Sequence, residues 1–278
     1  MNMMTTVAAG PQAHVDFAAP DLPLMLPGRP KMRYDLPKAW RHFKELIKDK
    51  DDTAQVTPIF EALPWLGVYD AALAFLKTDR AQEIRRKEPS LVKILDDRAS
   101  LRRLPAGSVA QVYCDFMEEA GFSAQGLVDE LDKNRPAERY YDDQVTWYFN
   151  RMRDTHDLLH VLTGFSRDAL GELCVLAFTY SQQPSPAHLF LGYAGAFQVS
   201  KHPVKAPVFR AVREAQKMGK ACPRLVEMAI TELLPLPIEV ARARLNIAEP
   251  KFYRQAHAVW QGQGVDPYDL LAPVKQAA

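Results

Sequence analysis

Long apolar runs are what this sequence most plainly lacks. No stretch reaches the roughly eighteen apolar residues of a membrane-spanning helix; the longest candidate, Ala187 to Val199, is broken by Gly192, Gly195 and Gln198. Cysteine is scarce. Cys114, Cys174 and Cys222 are odd in number and far apart, which argues against a disulfide framework and for a reducing compartment with each thiol a small packing group. An excess of one charge is missing too. With 35 Lys and Arg against 34 Asp and Glu the net charge is +1, and the signs are interleaved, so no nucleic-acid partner is expected. No Lys or Arg precedes Arg29, so neither a secretory signal nor a transit peptide is expected, and a cytoplasmic bacterial protein is the simplest reading. Alternation of period two is nowhere sustained, and no hairpin turn separates strand-like runs. The expectation is an all-α fold.

What remains is ordinary soluble composition, 47% hydrophobic and 25% charged over 278 residues, enough for one large domain or two modest ones. Residues 1–33, with Pro11, Pro20, Pro23, Pro27 and Pro30 and no hydrophobic period, read as a flexible Pro/Ala-rich arm. Its apolar patch Leu22 to Leu26 is suited to docking on the body or on a partner. From residue 34 to 278 the pattern is that of a single multi-helix domain. Trp40, Phe43, Leu46 and Ile47 recur at helix spacing. Further helices are expected from Thr57 to Leu63, Tyr69 to Leu76, Ala81 to Lys87, Ser90 to Asp97 and Ser123 to Lys133. Ser108 is expected to cap a helix that ends at Gly121. Residues 137–163, with bulk from Tyr140, Trp147, Tyr148 and Phe149, are one helix or two, broken near Asp154 and Thr155. Later segments run through LFLGYAGAFQVS, APVFRAVREAQKMGKA, RLVEMAITELLPLP and IEVARARLNI. Gly192 and Gly195, at small-xxx-small spacing, point to close helix packing first and to a lined hydrophobic cavity or membrane contact second.

The most unusual stretch is RDTHDLLHVLTGFSRDALGELCVLAF, Arg153 to Phe178. At about 100° per residue, with His156 at zero, His160 falls near 40°, Arg153 near 60°, Gly164 near 80° and Asp157 near 100°. These five share a face, and Leu158, Leu159 and Leu162 point into packing. A turn at Phe165 and Ser166, with Ser166 as N-cap and Asp168 in the first turn, sets Glu172 opposite the histidines on an antiparallel helix. Gly164 and Gly171 let the backbones approach and leave space for a ligand. Two imidazoles with one or two carboxylates suit zinc, iron, manganese or cobalt, with positions open to water or substrate. An HxxxH pair alone is more often packed or solvated; Asp157 and Glu172 are what turn the reading to a metal site.

HDLLH followed by Glu172 twelve residues beyond the second His resembles the coenzyme Q biosynthesis protein 4 family, which carries an HDxxH motif and a Glu at that distance. RMRDTHDLLHVLTGFSRDALGE has the family's basic lead-in and Gly-Glu pair, LPAGSVAQVYCDFM its Leu-Pro-x-Gly-Ser turn, and IEVARARLNI its terminal helix. The arm before Leu36 has no counterpart. The resemblance implies a helical protein of ubiquinone biosynthesis, peripheral on the inner face of the bacterial plasma membrane. It implies a divalent metal held by His156, Asp157, His160 and Glu172. The implied reaction is oxidative decarboxylation at C1 of a polyprenylated hydroxybenzoate ring. Asp157 and Arg153 would be catalytic, and Arg153, with Gly164, would meet the substrate. Implied partners are the polyprenylated quinone precursor and other enzymes of the pathway, and a homodimer is compatible. The alternative is a non-catalytic, polyprenyl-lipid-binding scaffold that organises those enzymes. A zincin-like hydrolase fits less well: Asp157 is a methylene shorter than the Glu of HExxH. A histidine-aspartate phosphohydrolase needs further ligands, and His188 and His202 sit in no matching motif.

Overall fold

Helices account for the regular structure throughout the computed structural model, which describes residues 15–48, 55–132 and 141–270. In chain order they are α1 (Leu36–Lys48), α2 (Val56–Ala62), α3 (Val68–Leu76), α4 (Asp79–Lys87), α5 (Leu91–Asp96), α6 (Arg98–Leu101), α7 (Val109–Glu119) and α8 (Ala124–Asp132). Then come α9 (Gln144–Asp154), α10 (His156–Thr163), α11 (Ala169–Gln182), α12 (Pro186–Val199), α13 (Val208–Ala221), α14 (Ile230–Leu233), α15 (Ile238–Arg244) and α16 (Lys251–Gly262). Among the described residues there is no strand, only an isolated antiparallel bridge between Ser108 and Pro237. The all-α expectation holds.

Local chemistry sets most boundaries where the sequence places them. Thr78, Ser90, Asp97, Ser108 and Asp143 each accept a backbone N–H of the adjoining helix, at Ala81, Lys93, Ser100, Gln111 and Thr146, satisfying donors that a helix start leaves without partners. Helix α7 ends as expected, with Gly121 at φ +66°. Two segments differ. RLVEMAITELLPLP forms only a 3-10 turn at Leu225–Glu227 and the single turn of α14, separated by extended Met228 and Ala229, and Pro235 and Pro237 prevent α14 from running on. Helix α16 lies beyond the last helical segment read from the sequence. Tyr140 and Lys133 lie outside the described residues.

Helix α11 is the axis of the main core. It packs on α12 and α13, α13 packs on α16, and α10 is held between α7 and α15. Glycine makes the contacts around α11 close: a Cβ on Gly219 of α13 would come within 2.3 Å of the Phe178 carbonyl oxygen, and one on Gly195 within 2.3 Å of Leu173. The packing reading of Gly195 is thus the one realised. A second core joins α3, α4 and α9, and a third joins α1, α2 and α12. All three cysteines are buried and free.

Of the arm expected to be flexible, residues 15–33 lie docked on the second core. Phe17 and Leu24 pack there. Gln144 donates to the Leu22 carbonyl through its side chain and to the Pro23 carbonyl through its backbone. Arg29 pairs with buried Asp143 and stacks on the Tyr141 ring. Residues 1–14 lie outside the described residues.

Candidate metal centre

The site begins where α9 stops. Thr155 turns its hydroxyl back onto the carbonyls of Arg151 and Met152, at 3.0 and 3.2 Å, so the last turn of α9 is closed from within and the chain restarts as α10 at His156. Arg151 ties this junction to the second core. Its guanidinium donates to Glu88 and to the carbonyls of Val226 and Met228. Leu158, Leu159, Val161 and Leu162 are buried and orient α10 so that His156 and His160 share its other side.

The turn after α10 is built from two glycines and a carboxylate. Gly164 ends α10 in the left-handed region at φ +76°, its N–H on the His160 carbonyl at 2.8 Å, a conformation glycine adopts without a steric cost. A side chain there would meet Arg242 of α15 and Pro250. The N-cap of α11 is Asp168, not Ser166: Asp168 Oδ1 accepts from Leu170 and Gly171 at 3.1 and 3.2 Å. A carboxylate is a strong cap, whereas Ser166 sits two residues too early and contacts Tyr268 instead. Gly171 allows the hairpin to close, since a Cβ there would lie 1.9 Å from the Ser166 carbonyl oxygen.

One turn into α11, Glu172 faces the histidines. A ligand atom from each of His156, His160 and Glu172 lies within 4.8 Å of the others. The carboxylate oxygens stand 3.8 Å from His156 Nε2 and 3.5 Å from His160 Nε2. Donors about 2.1 Å from a tetrahedral ion stand roughly 3.4 Å apart, so the spacing suits a shared cation. Protonation at His160 suits it too. Its Nδ1 lies 3.0 Å from the Phe165 carbonyl, which can only accept. Nδ1 therefore carries the proton, and in the neutral ring the Nε2 lone pair is left toward Glu172. His160 is buried; Glu172 keeps 42% of its side-chain surface in solvent and His156 35%, so the cluster opens outward on one side.

The charges are mutually adjusted. Burial lowers the His156 pKa, His160 and Arg167 lower it further, and the carboxylates of Glu172 and Asp157 only partly oppose this. Burial also acts to lower His160, but Glu172 and the Phe165 carbonyl outweigh it and the net shift is upward. For Glu172 burial raises the pKa, and the two histidines with Arg167 bring it below the ordinary value. The site holds its carboxylate ionised beside imidazoles of unequal basicity.

Two expected members are not among the three whose ligand atoms converge. Asp157 is outside the converging set, although its charge reaches His156, His160 and Arg167. Arg153 belongs to the last turn of α9, before Thr155, and its Nε donates to Asp154 at 2.7 Å. The cation whose charge reaches the cluster is Arg167, in the hairpin turn. Its guanidinium lies 3.6 Å over the Phe116 ring and donates to the Phe116 carbonyl, and His160 stacks on the same ring at 5.5 Å. Sequence reading passed over Arg167 because its partners lie on α7, about fifty residues earlier. Two open hollows, of about 500 and 370 Å³, lie along α13 with Arg210, Arg213, Lys217 and Lys220 among their lining residues.

Among the described residues no helix is long and apolar enough to cross a membrane. A family model, coenzyme Q (ubiquinone) biosynthesis protein Coq4, matches residues 61–251. The mitochondrial ubiquinone biosynthesis protein COQ4 homologue of Bos taurus is 24% identical over 168 residues, 60% of this chain and 61% of that protein. The human homologue is 23% identical over 63% of this chain and 64% of its own length. The Neurospora crassa protein coq-4 is 27% identical over 73% and 54%. The chain thus spans less than two thirds of these relatives' lengths. A crystal structure from Nostoc punctiforme, of a protein provisionally assigned to ubiquinone biosynthesis, superposes with a TM-score of 0.53 over 78% of this chain and all of that one, at 19% identity; that likeness concerns the fold. With the family model covering more than half of its length, the chain belongs to the coenzyme Q (ubiquinone) biosynthesis protein Coq4 family.

Proposed function

We propose that this protein is a metal-dependent enzyme of ubiquinone biosynthesis that replaces the C1 carboxyl of a polyprenylated hydroxybenzoate ring by a hydroxyl. One observation carries the reading: His156, His160 and Glu172 converge while His160 Nδ1 is already engaged by Phe165. Two imidazoles and one carboxylate with open positions form the donor set of oxygen-using non-haem iron sites, and they also suit zinc, manganese and cobalt. When bound, such an ion supplies Lewis-acid polarisation of the ring oxygen or redox access to dioxygen. The exchange is a two-electron oxidation. The ring–carboxyl bond breaks as carbon dioxide leaves, a ring–oxygen bond forms to the oxygen of a water molecule, and dioxygen accepts the two electrons and two protons and leaves as hydrogen peroxide.

The chain's own residues divide the remaining work. His156, His160 and Glu172 hold the ion. Asp157 stands beside them as a further ligand or as the proton acceptor at the ring hydroxyl. A substrate carboxylate is met by a guanidinium; Arg153 was the sequence candidate, and Arg167 has the better electrostatic reach. A polyprenyl tail keeps such a substrate at a bilayer, so the reading includes peripheral attachment to the inner face of the plasma membrane. The exposed Leu36 and Trp40 of α1, interleaved with Arg41 and Lys44, support that part.

The test is carbon dioxide release from a carboxyl-labelled, prenylated hydroxybenzoate by metal-loaded protein under air. Release by the wild type, lost in a folded His156→Ala/His160→Ala variant and reduced at least about a hundredfold in Asp157→Ala, is the expected result. Undiminished release by the double variant sinks the reading. Loaded wild type that binds the ring without releasing carbon dioxide would turn the assignment to the lipid-binding scaffold.

A further inference from the structure

The match to the Coq4 family model ends at residue 251, and the turn joining the two ligand helices is gripped by residues beyond it. Tyr253 and His257, one turn apart on α16, both reach this turn. Tyr253 touches it at three places. Its ring meets Phe165 edge-on, with centroids 5.3 Å apart at 83°. Its oxygen accepts from the Ser166 N–H at 2.9 Å, and its O–H donates to Asp168 Oδ2. His257 Nε2 lies 3.2 Å from that same carboxylate oxygen. The other oxygen, Asp168 Oδ1, caps α11. Each contact bears on a ligand. Phe165 supplies the carbonyl that orients His160, and Asp168 fixes the turn of α11 from which Glu172 projects.

We propose that Tyr253, acting through Asp168 and the Phe165–Ser166 backbone, is a positioning residue of the metal centre, so that metal affinity depends on a hydroxyl of the C-terminal helix. The inference rests on the metal reading above. The Asp168 side chain is fully buried, and a hydrogen bond to an ionised group away from water is a strong one. Removing the Tyr253 hydroxyl leaves the Ser166 N–H without its acceptor and the carboxylate short of a donor. The turn then relaxes, and the separation of His160 from Glu172 relaxes with it. Metal sites tolerate such slack poorly, because donor distances must hold to within about 0.2 Å, and losing an outer partner of a ligand weakens binding by about ten- to a hundredfold.

Two variants of the full chain isolate this role. Tyr253→Phe keeps the ring on Phe165 and removes only the hydroxyl. Asp168→Asn keeps an oxygen to cap α11, but its amide nitrogen cannot accept from Tyr253. Cobalt(II) is titrated against a competing chelator, with its visible absorption reporting coordination and far-ultraviolet circular dichroism reporting the fold. The expected result is affinity reduced about ten- to a hundredfold in both variants, with shifted absorption bands and an unchanged helical signal. Asp168→Asn carries the test if Tyr253→Phe loses its helical signal. Wild-type affinity and bands in the folded variants overturn the proposal, even where thermal stability falls, because that pattern marks a purely structural contact. Failure of the underlying reading looks different: wild type that binds no cobalt, or a His156→Ala/His160→Ala variant that binds as the wild type does, overturns both.

Discussion

A single backbone carbonyl, that of Phe165, decides which nitrogen of His160 is available, and a single carboxylate, that of Asp168, decides where the opposing helix starts. Asp168 also lends itself to a test by pH. Burial acts to raise its pKa, but His257, Tyr253 and the Gly171 N–H bring it below the ordinary value. A carboxyl whose folded pKa is depressed contributes stability that is complete above its unfolded value of about 3.9 and lost as the pH falls through the folded value. In metal-free protein, Asp168→Asn should therefore cost roughly 2 kcal/mol near neutrality, and the gap from wild type should shrink below about pH 4. Urea denaturation at the two pH values measures it; an equal gap at both would mean the charge contributes nothing. At this scale the sequence was informative only where partners are local. His156, His160 and Glu172 were legible because four and twelve residues separate them, distances a helix and a hairpin convert directly into contact. Tyr253 and Arg167 were not: one acts on Asp168 from 85 residues away and the other on Phe116 from 51.

Helices carry the same lesson in their junctions. The break near Thr155 and the hairpin after Gly164 were readable, since a helix end leaves capping chemistry in the chain. The contact of Arg153 was not: its Nε donates to the adjoining Asp154. Helix α11, which carries Glu172, is held by contacts too close for side chains. Gly219 faces the Phe178 backbone, and Gly195 faces the Leu173 side chain. The two should respond differently. Gly219→Ala drives a methyl into a carbonyl that cannot yield without moving α11 or α13, at a cost of about 1–3 kcal/mol. Gly195→Ala meets a leucine that can change rotamer, and should cost less. Helix propensity favours alanine at both positions, so thermal unfolding of the pair reads the packing difference, and equal losses would mean that the Leu173 side chain yields no more readily than the Phe178 backbone.

For the whole molecule, the all-α architecture came from what the sequence lacks. The arrangement of the three cores did not, because it depends on contacts between helices distant in sequence. One of these joins α16 to the ligand hairpin and so to the candidate centre. The membership in the Coq4 family and the convergence of His156, His160 and Glu172 meet in one claim, that this chain holds a divalent metal at that point. Elemental analysis of purified protein, wild type beside His156→Ala/His160→Ala and Glu172→Gln, tests it most directly. The account predicts about one ion per wild-type chain, almost none in the double variant and a reduced content in Glu172→Gln. A folded wild type that takes up no iron, zinc, manganese or cobalt, or a double variant as fully loaded as the wild type, would contradict it.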